Sequence, residues 1–275
     1  MKTRVIVAAV LVPLIFIVLF FLQPYVLTGV VALICAISSY ELLRSIGSKE
    51  NDRVKIYVVF SATLIPIGAY FDIAALVSLA VLLILMCLLF LEAVLAFKTI
   101  RRITFAQVLI ALFAGALVPL MLSSLISLKL MPEGRLLVLL PVITAFITDG
   151  GAYFAGMAFG KKKAFPQVSP NKTVEGCIGG LVAGTSAMLI YGVILVFTTF
   201  HTVVFWALIL YGVIGAVITQ LGDLSFSLIK REFNVKDYGK LIPGHGGMLD
   251  RFDSMVFTAP AIYLLMTVIP AIIVR

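Results

Sequence analysis

The sequence predicts an all-α polytopic integral membrane protein of about nine transmembrane helices, each needing roughly 20 apolar residues. Three observations predict it. Of 275 residues, 62% are hydrophobic and only 12% charged, with a mean hydropathy of +1.18, whereas soluble domains sit nearer half apolar and a quarter charged. Long apolar runs consume nearly the whole chain, so no separate soluble domain is expected, and lipid admits helices where it excludes open sheets. The basic residues fall almost entirely between alternate runs, as a membrane topology requires.

Residues 1–22 begin Met1-Lys2-Thr3-Arg4 and run apolar to Leu22. That run outlasts a signal peptide's core and ends without a small-residue cleavage site, so it reads as a retained first helix. The second span is placed at 25–40, closed by the polar stretch from Glu41 to Lys55. The third, 55–71, and the fourth, 73–97, are joined by a tight turn near Asp72. Lys98, Arg101 and Arg102 precede the fifth span, 104–127. The sixth is 135–159, the seventh 174–198, the eighth 203–229 and the ninth 254–274. Residues 1–275 thus form one membrane domain. Residues 1–135 are expected to give scaffold, lipid-facing and dimer surfaces, and 136–275 the catalytic helices and loops.

With nine spans, 18 of the 21 Lys and Arg residues fall on the side of the N-terminus. Cytoplasmic loops carry such an excess, so the N-terminus is expected in the cytoplasm and the C-terminus outside. A reporter fused after Arg275 that became active in the cytoplasm would contradict this. The sequence pI near 9.5 is then a matter of topology, and no nucleic-acid partner is expected. Cys35, Cys87 and Cys177 lie in apolar segments, odd in number and without paired spacing, so they read as packing residues.

Three clusters carry chemistry. In the sixth span, Thr148-Asp149-Gly150-Gly151 puts a carboxylate well inside an apolar run; an intramembrane Asp costs a few kcal/mol and is a functional candidate by default. Tyr153, four residues on, shares its helix face. The second cluster, Ser169-Pro170-Asn171-Lys172-Thr173-Val174-Glu175, reads as a helix start whose hydroxyl and amide side chains cap free N–H groups. With Lys172 beside it, such a terminus favours an anion. Lys161–Lys163 alone read equally as topology and attraction to anionic lipid.

The third cluster runs from Asp223 to Asp253 and gathers five acidic and five basic residues. Gln220, Asp223, Ser227 and Lys230 recur at intervals of three and four, a polar stripe on an apolar helix. Arg231, Lys236 and Asp237 follow, then Pro243-Gly244-His245-Gly246-Gly247 and Asp250-Arg251-Phe252-Asp253. Glycine turns let backbone N–H groups approach a phosphate. Carboxylates such as Asp223 and Asp250 suit a hard cation that bridges to phosphates. Lys and Arg neutralise the remaining charge, which together favours phosphoryl or nucleotidyl transfer. A zinc role for His245 is disfavoured, since the other histidine, His201, falls on the far side. No GxxxxGK[ST] motif occurs.

At these residues the sequence resembles the CDP-diacylglycerol synthase (phosphatidate cytidylyltransferase) family. The matching signature is Ser227-Leu228-Ile229-Lys230-Arg231, Lys236-Asp237, Gly239, Pro243, His245-Gly246-Gly247 and Asp250-Arg251-Phe252-Asp253, with the SPNKTVEG turn and Asp149 as further points of likeness. The resemblance implies transfer of the cytidylyl group of CTP to phosphatidic acid, giving CDP-diacylglycerol and pyrophosphate for phospholipid synthesis. It implies Mg²⁺ or another divalent cation, a homodimer, and a multi-pass protein of the cell (inner) membrane whose active site faces the cytoplasm. Asp223 and Asp250 are then expected to hold the metal with Asp149. Lys230, Arg231 and His245 join those two aspartates as catalytic groups. Ser169, Asn171, Lys172, Thr173, Ser227, Lys236, Asp237, Gly246, Gly247, Arg251 and Asp253 are expected to bind substrate. A CTP-dependent polyprenol or phytol kinase, or a CDP-archaeol synthase, is the alternative enzyme. An ion-coupled transporter is the alternative class, and it would require acidic residues spread through several spans and an inverted repeat.

Overall fold

The computed structural model describes Pro13 and residues 15–46, 52–99, 102–241 and 246–273. The first expected span therefore lies largely outside the described residues, as does His245. The described chain is helical and separates into two compact units: residues 1–130 with 233–252, and residues 131–232 with 253–275.

The first unit is built on α1 (Pro24–Ile46), α2 (Asp52–Tyr70), α3 (Ala74–Leu95) and α4 (Phe105–Leu130). α2 packs against the other three, and Ile65, Val81 and Ala116 meet in its core. α3 buries one stripe, Val81, Leu85 and Leu89, at the four-residue repeat of a helix. Its other faces present Leu76, Leu79, Leu83 and Val94 outward. Such exposure suits hydrocarbon, not water. Asp72 makes the expected turn between α2 and α3 in the left-handed region, φ 59°, which Asp tolerates better than most residues. Thr104 and Gln107 close a capping box at the start of α4. A π-helical turn, Phe113–Leu117, interrupts α4, and the Ser39 hydroxyl of α1 donates to the Ala114 carbonyl there at 2.6 Å.

The second unit contains α5 (Leu139–Phe159), entered through the short helix Gly134–Leu137, then α6 (Val174–Thr198) and α7 (Phe205–Glu232). It also holds two small antiparallel pairs: β1 (Lys163–Phe165) with β2 (Ser169–Thr173), and β3 (Thr202–Val203) with β4 (Ile272–Ile273). α5 and α6 approach closely through small residues. A Cβ on Gly180 would stand 2.9 Å from the Thr148 carbonyl, and one on Gly176 2.8 Å from that of Ala152. Glycine at helix contacts is how apolar helices pack without a hydrophobic drive between them. The last long helix, α8 (Leu249–Val268), begins in the first unit, and the chain passes to the second between Phe252 and Asp253.

Among the described residues, seven helices are long and apolar enough to cross a membrane: α1 to α4, Gly134–Phe159, α6 and α7. The protein is thus an all-α, multi-pass membrane protein. The largest departures from the expected boundaries are in α1 and α8. α1 continues six residues beyond 40, carrying Glu41 inside the helix. α8 begins at Leu249 and ends at Val268, because its first turn is capped, and β4 takes up part of the expected ninth span.

Candidate active site

In the second unit, α5, α6, α7 and the α8 residues from Asp253 onward bring five of the expected site residues into one polar cluster. α5 supplies Asp149, and α7 supplies Asp223 and Lys230. β2, just before α6, supplies Lys172, and Asp253 completes the set. Lys172 Nζ lies 2.5 Å from Asp223 Oδ2, both side chains being mostly shielded. Lys230 Nζ stands 4.0 Å from Asp253 Oδ2, and these two are nearly buried. Ser254 links the remaining carboxylates: its hydroxyl donates to Asp149 Oδ2 at 3.1 Å, and its N–H donates to Asp253 Oδ1 at 2.7 Å. Asp223 and Asp149 both lie close enough to Asp253 to repel its charge. Three carboxylates drawn together in a shielded place need positive charge beside them.

The helix contacts hold this cluster in place. Gln220, one turn before Asp223, donates to the Cys177 carbonyl at 3.1 Å and so ties α7 to α6. Thr219 and Thr258 share a hydrogen bond of 2.7 Å, and Phe226 meets Phe257 edge-to-face. The expected polar stripe is helical throughout, since α7 runs to Glu232. Tyr153 shares the Asp149 face only in the sense of spacing; its ring is exposed and meets Phe154.

The loop before α6 corrects one expectation. Ser169 and Asn171 do not cap the helix; they lie in β2, paired with β1. Thr173 alone is the cap, its hydroxyl accepting the Gly176 N–H at 3.1 Å. Two residues on, Glu175 accepts the N–H groups of Lys161 and Lys162 at 3.1 and 3.3 Å. Arg231 Nε donates to the Val168 carbonyl at 3.2 Å and ties the hairpin to α7.

In the first unit, the loop after α7 is organised by two carboxylates. Asp250 Oδ2 accepts the Tyr238 N–H at 2.9 Å and the Gly247 N–H at 3.0 Å. Gly246 has φ +84°, and a Cβ there would stand 3.0 Å from Asp250 Oδ2 and 3.4 Å from Asp237 Oδ1, so this position requires glycine. Lys236, Asp237 and Arg251 are exposed. The second carboxylate is Glu41 of α1, whose Oε2 accepts the Leu249 N–H at 3.0 Å. Glu41 carried no expectation from the sequence. The signal lay in an acid just beyond an apolar run, where the sequence reads as loop and the helix in fact continues to Ile46.

The donors of the second unit, carboxylates and a hydroxyl, are hard oxygen ligands of the kind that suit Mg²⁺. Their spacing does not match a ready-made metal centre. Among the described residues no three His, Cys, Asp or Glu side chains converge at ligand distance, and Lys172 stands against Asp223.

Comparison with known proteins gives this cluster its setting. The model of the cytidylyltransferase family matches residues 2–269. The chain belongs to that family. The phosphatidate cytidylyltransferase of Thermotoga maritima is 30% identical over 280 residues, 99% of this chain and 98% of that protein. Those of Staphylococcus saprophyticus and Bacillus subtilis are 42% and 44% identical over 134 and 124 residues. In these two cases the chain spans about half the length of the relative it matches, 50% and 45%. Within the family, then, the cluster of acids and lysines lies in the half of the chain that also bears the signature.

Proposed function

We propose that this cytidylyltransferase-family protein transfers the cytidylyl group of CTP to phosphatidic acid, releasing pyrophosphate and leaving CDP-diacylglycerol. The carrying observation is the cluster of Asp149, Lys172, Asp223, Lys230 and Asp253 among otherwise apolar helices. Acids and bases alternate there, which suits a site that must receive several phosphates and release pyrophosphate. The relatives' names support phosphatidate as the acceptor. A transporter reading is not favoured by the described N-terminal helices, whose buried acid, Glu41, is occupied with backbone amides.

In this reaction a phosphate oxygen of phosphatidic acid attacks the α-phosphorus of CTP. A new P–O bond forms there, the bond to the bridging oxygen breaks, and pyrophosphate leaves with that electron pair. The attacking oxygen is already anionic, so no strong base is needed, and positioning and charge do most of the work. Lys172 and Lys230 turn from their aspartates towards phosphate, and Ser254 keeps Asp149 and Asp253 in register. By the family resemblance, Arg231 and His245 are assigned to catalysis, and Ser169, Asn171, Thr173, Ser227, Lys236, Asp237, Gly246, Gly247, Arg251 and Asp253 to binding substrate. The resemblance assigns a divalent cation such as Mg²⁺ to Asp223, Asp250 and Asp149; carboxylate oxygens of this kind would suit it, and it would supply neutralising charge. The loop charges support a cytoplasmic site in the cell membrane, and the resemblance supports a homodimer.

Asp223→Asn tests the site. Turnover should fall on the order of 100-fold or more and lose its response to Mg²⁺, while the variant stays folded in detergent with a midpoint lowered by the unpaired Lys172. Wild-type rates in this variant would refute the role.

A further inference from the structure

α1 reaches the signature loop through one side chain. Glu41 is 6% exposed, and its carboxylate accepts the N–H groups of Leu249 and Met248. These are free donors at the start of α8, so Glu41 caps that helix from another part of the chain. The same carboxylate presses against the loop backbone at two further places. A Cβ added at Gly239 or Gly247 would overlap Glu41 oxygens, so both glycines are needed for the loop to seat on it. Gly247 is also the residue whose N–H holds Asp250 Oδ2. Glu41, the backbone of 247–249 and Asp250 therefore form one chain of contacts. α1 is itself pinned on its other flank, where Ser39 takes the Ala114 carbonyl at the π-helical turn of α4. A carboxylate buried in a helix of this kind is costly unless its hydrogen bonds are met, and packing alone would be served better by an apolar residue.

We propose that Glu41 is a positioning residue for the transfer reaction: it holds Gly239 and residues 247–249 and so fixes the Asp250 carboxylate and the Gly246-Gly247 backbone. This rests on the function proposed above. Glu41 touches no reacting atom and acts through Gly247 to Leu249. The N-terminal helices thereby reach the backbone that holds Asp250.

The test uses the full chain in detergent with lipid, as Glu41→Gln, Glu41→Ala, Gly247→Ala and the double variant Glu41→Ala/Gly247→Ala, read by turnover, melting and amide hydrogen exchange. In Glu41→Gln, kcat should fall about 10- to 100-fold, as a displacement near 1 Å costs, with KM for phosphatidic acid and the melting midpoint near wild type. Exchange should rise at Met248 and Leu249 and not in α2. Gly247→Ala should give the same loss. Once Glu41 is cut to Ala the added methyl meets no carboxylate, so the double variant should be no worse than Glu41→Ala alone. Wild-type kcat and unchanged exchange in Glu41→Gln would overturn the proposal. So would faster exchange throughout with a collapsed melting transition, which marks a general structural role. A wild-type chain that turns over no CTP counts against the transfer reading; the exchange at Met248 and Leu249 then still decides the clamp, supporting it if protection is lost in Glu41→Gln and overturning it if kept.

Discussion

Lys172 and Asp223 hold each other at 2.5 Å in a place mostly shut off from solvent. Removing one partner of such a pair leaves the other charge uncompensated, which costs more than the pair itself contributes. A triphosphate arriving beside Lys172 offers an alternative anion, so the pair is readily exchanged for substrate contact. Lys172→Met should therefore lower kcat/KM for CTP by about 100-fold, with a smaller change in KM for phosphatidic acid; initial rates at varied concentrations of each substrate check this. Equal effects on both substrates would assign Lys172 to general charge balance. Asp149, Lys172, Asp223 and Lys230 were legible in the sequence because an acid or a lysine inside or beside an apolar run stands out. Ser254 was not legible: a serine next to an aspartate carries no signal until α5 is seen to bring Asp149 within 3.1 Å of it. Glu41 was hidden for a different reason, since its amide partner Leu249 lies 208 positions later in the chain.

The helices were legible because apolar runs of membrane length leave little choice of structure. Their ends were less so. In the stretch from Glu41 onward, polar residues read equally as loop or as a final helical turn, and α1 keeps them to Ile46. The β1–β2 hairpin escaped notice because strands of three and five residues are too short for an alternating pattern to emerge. That hairpin matters for the site. It carries Lys172 to the start of α6, where Thr173 accepts the Gly176 N–H. Thr173→Ala should cost about 1 kcal/mol, the usual worth of such a cap, seen as a lower unfolding midpoint in detergent. Thr173→Ser, which keeps the hydroxyl, should recover most of it. An unchanged midpoint in Thr173→Ala would mean that the hydroxyl serves substrate and not the helix.

Across the whole molecule, the fold class followed from composition, and the family from a signature spread over the loop between α7 and α8. Composition could not show that this loop groups with the N-terminal helices in one compact unit, where the buried Glu41 carboxylate meets Gly239 and Gly247. At this scale the chain is expected to couple CTP to a lipid phosphate. The direct measurement is purified protein in phosphatidate-containing micelles with labelled CTP and Mg²⁺. The prediction is label in CDP-diacylglycerol and an equal amount of pyrophosphate, each requiring both substrates and the cation. Release of CDP with a phosphorylated lipid, or no lipid label at all, would contradict it.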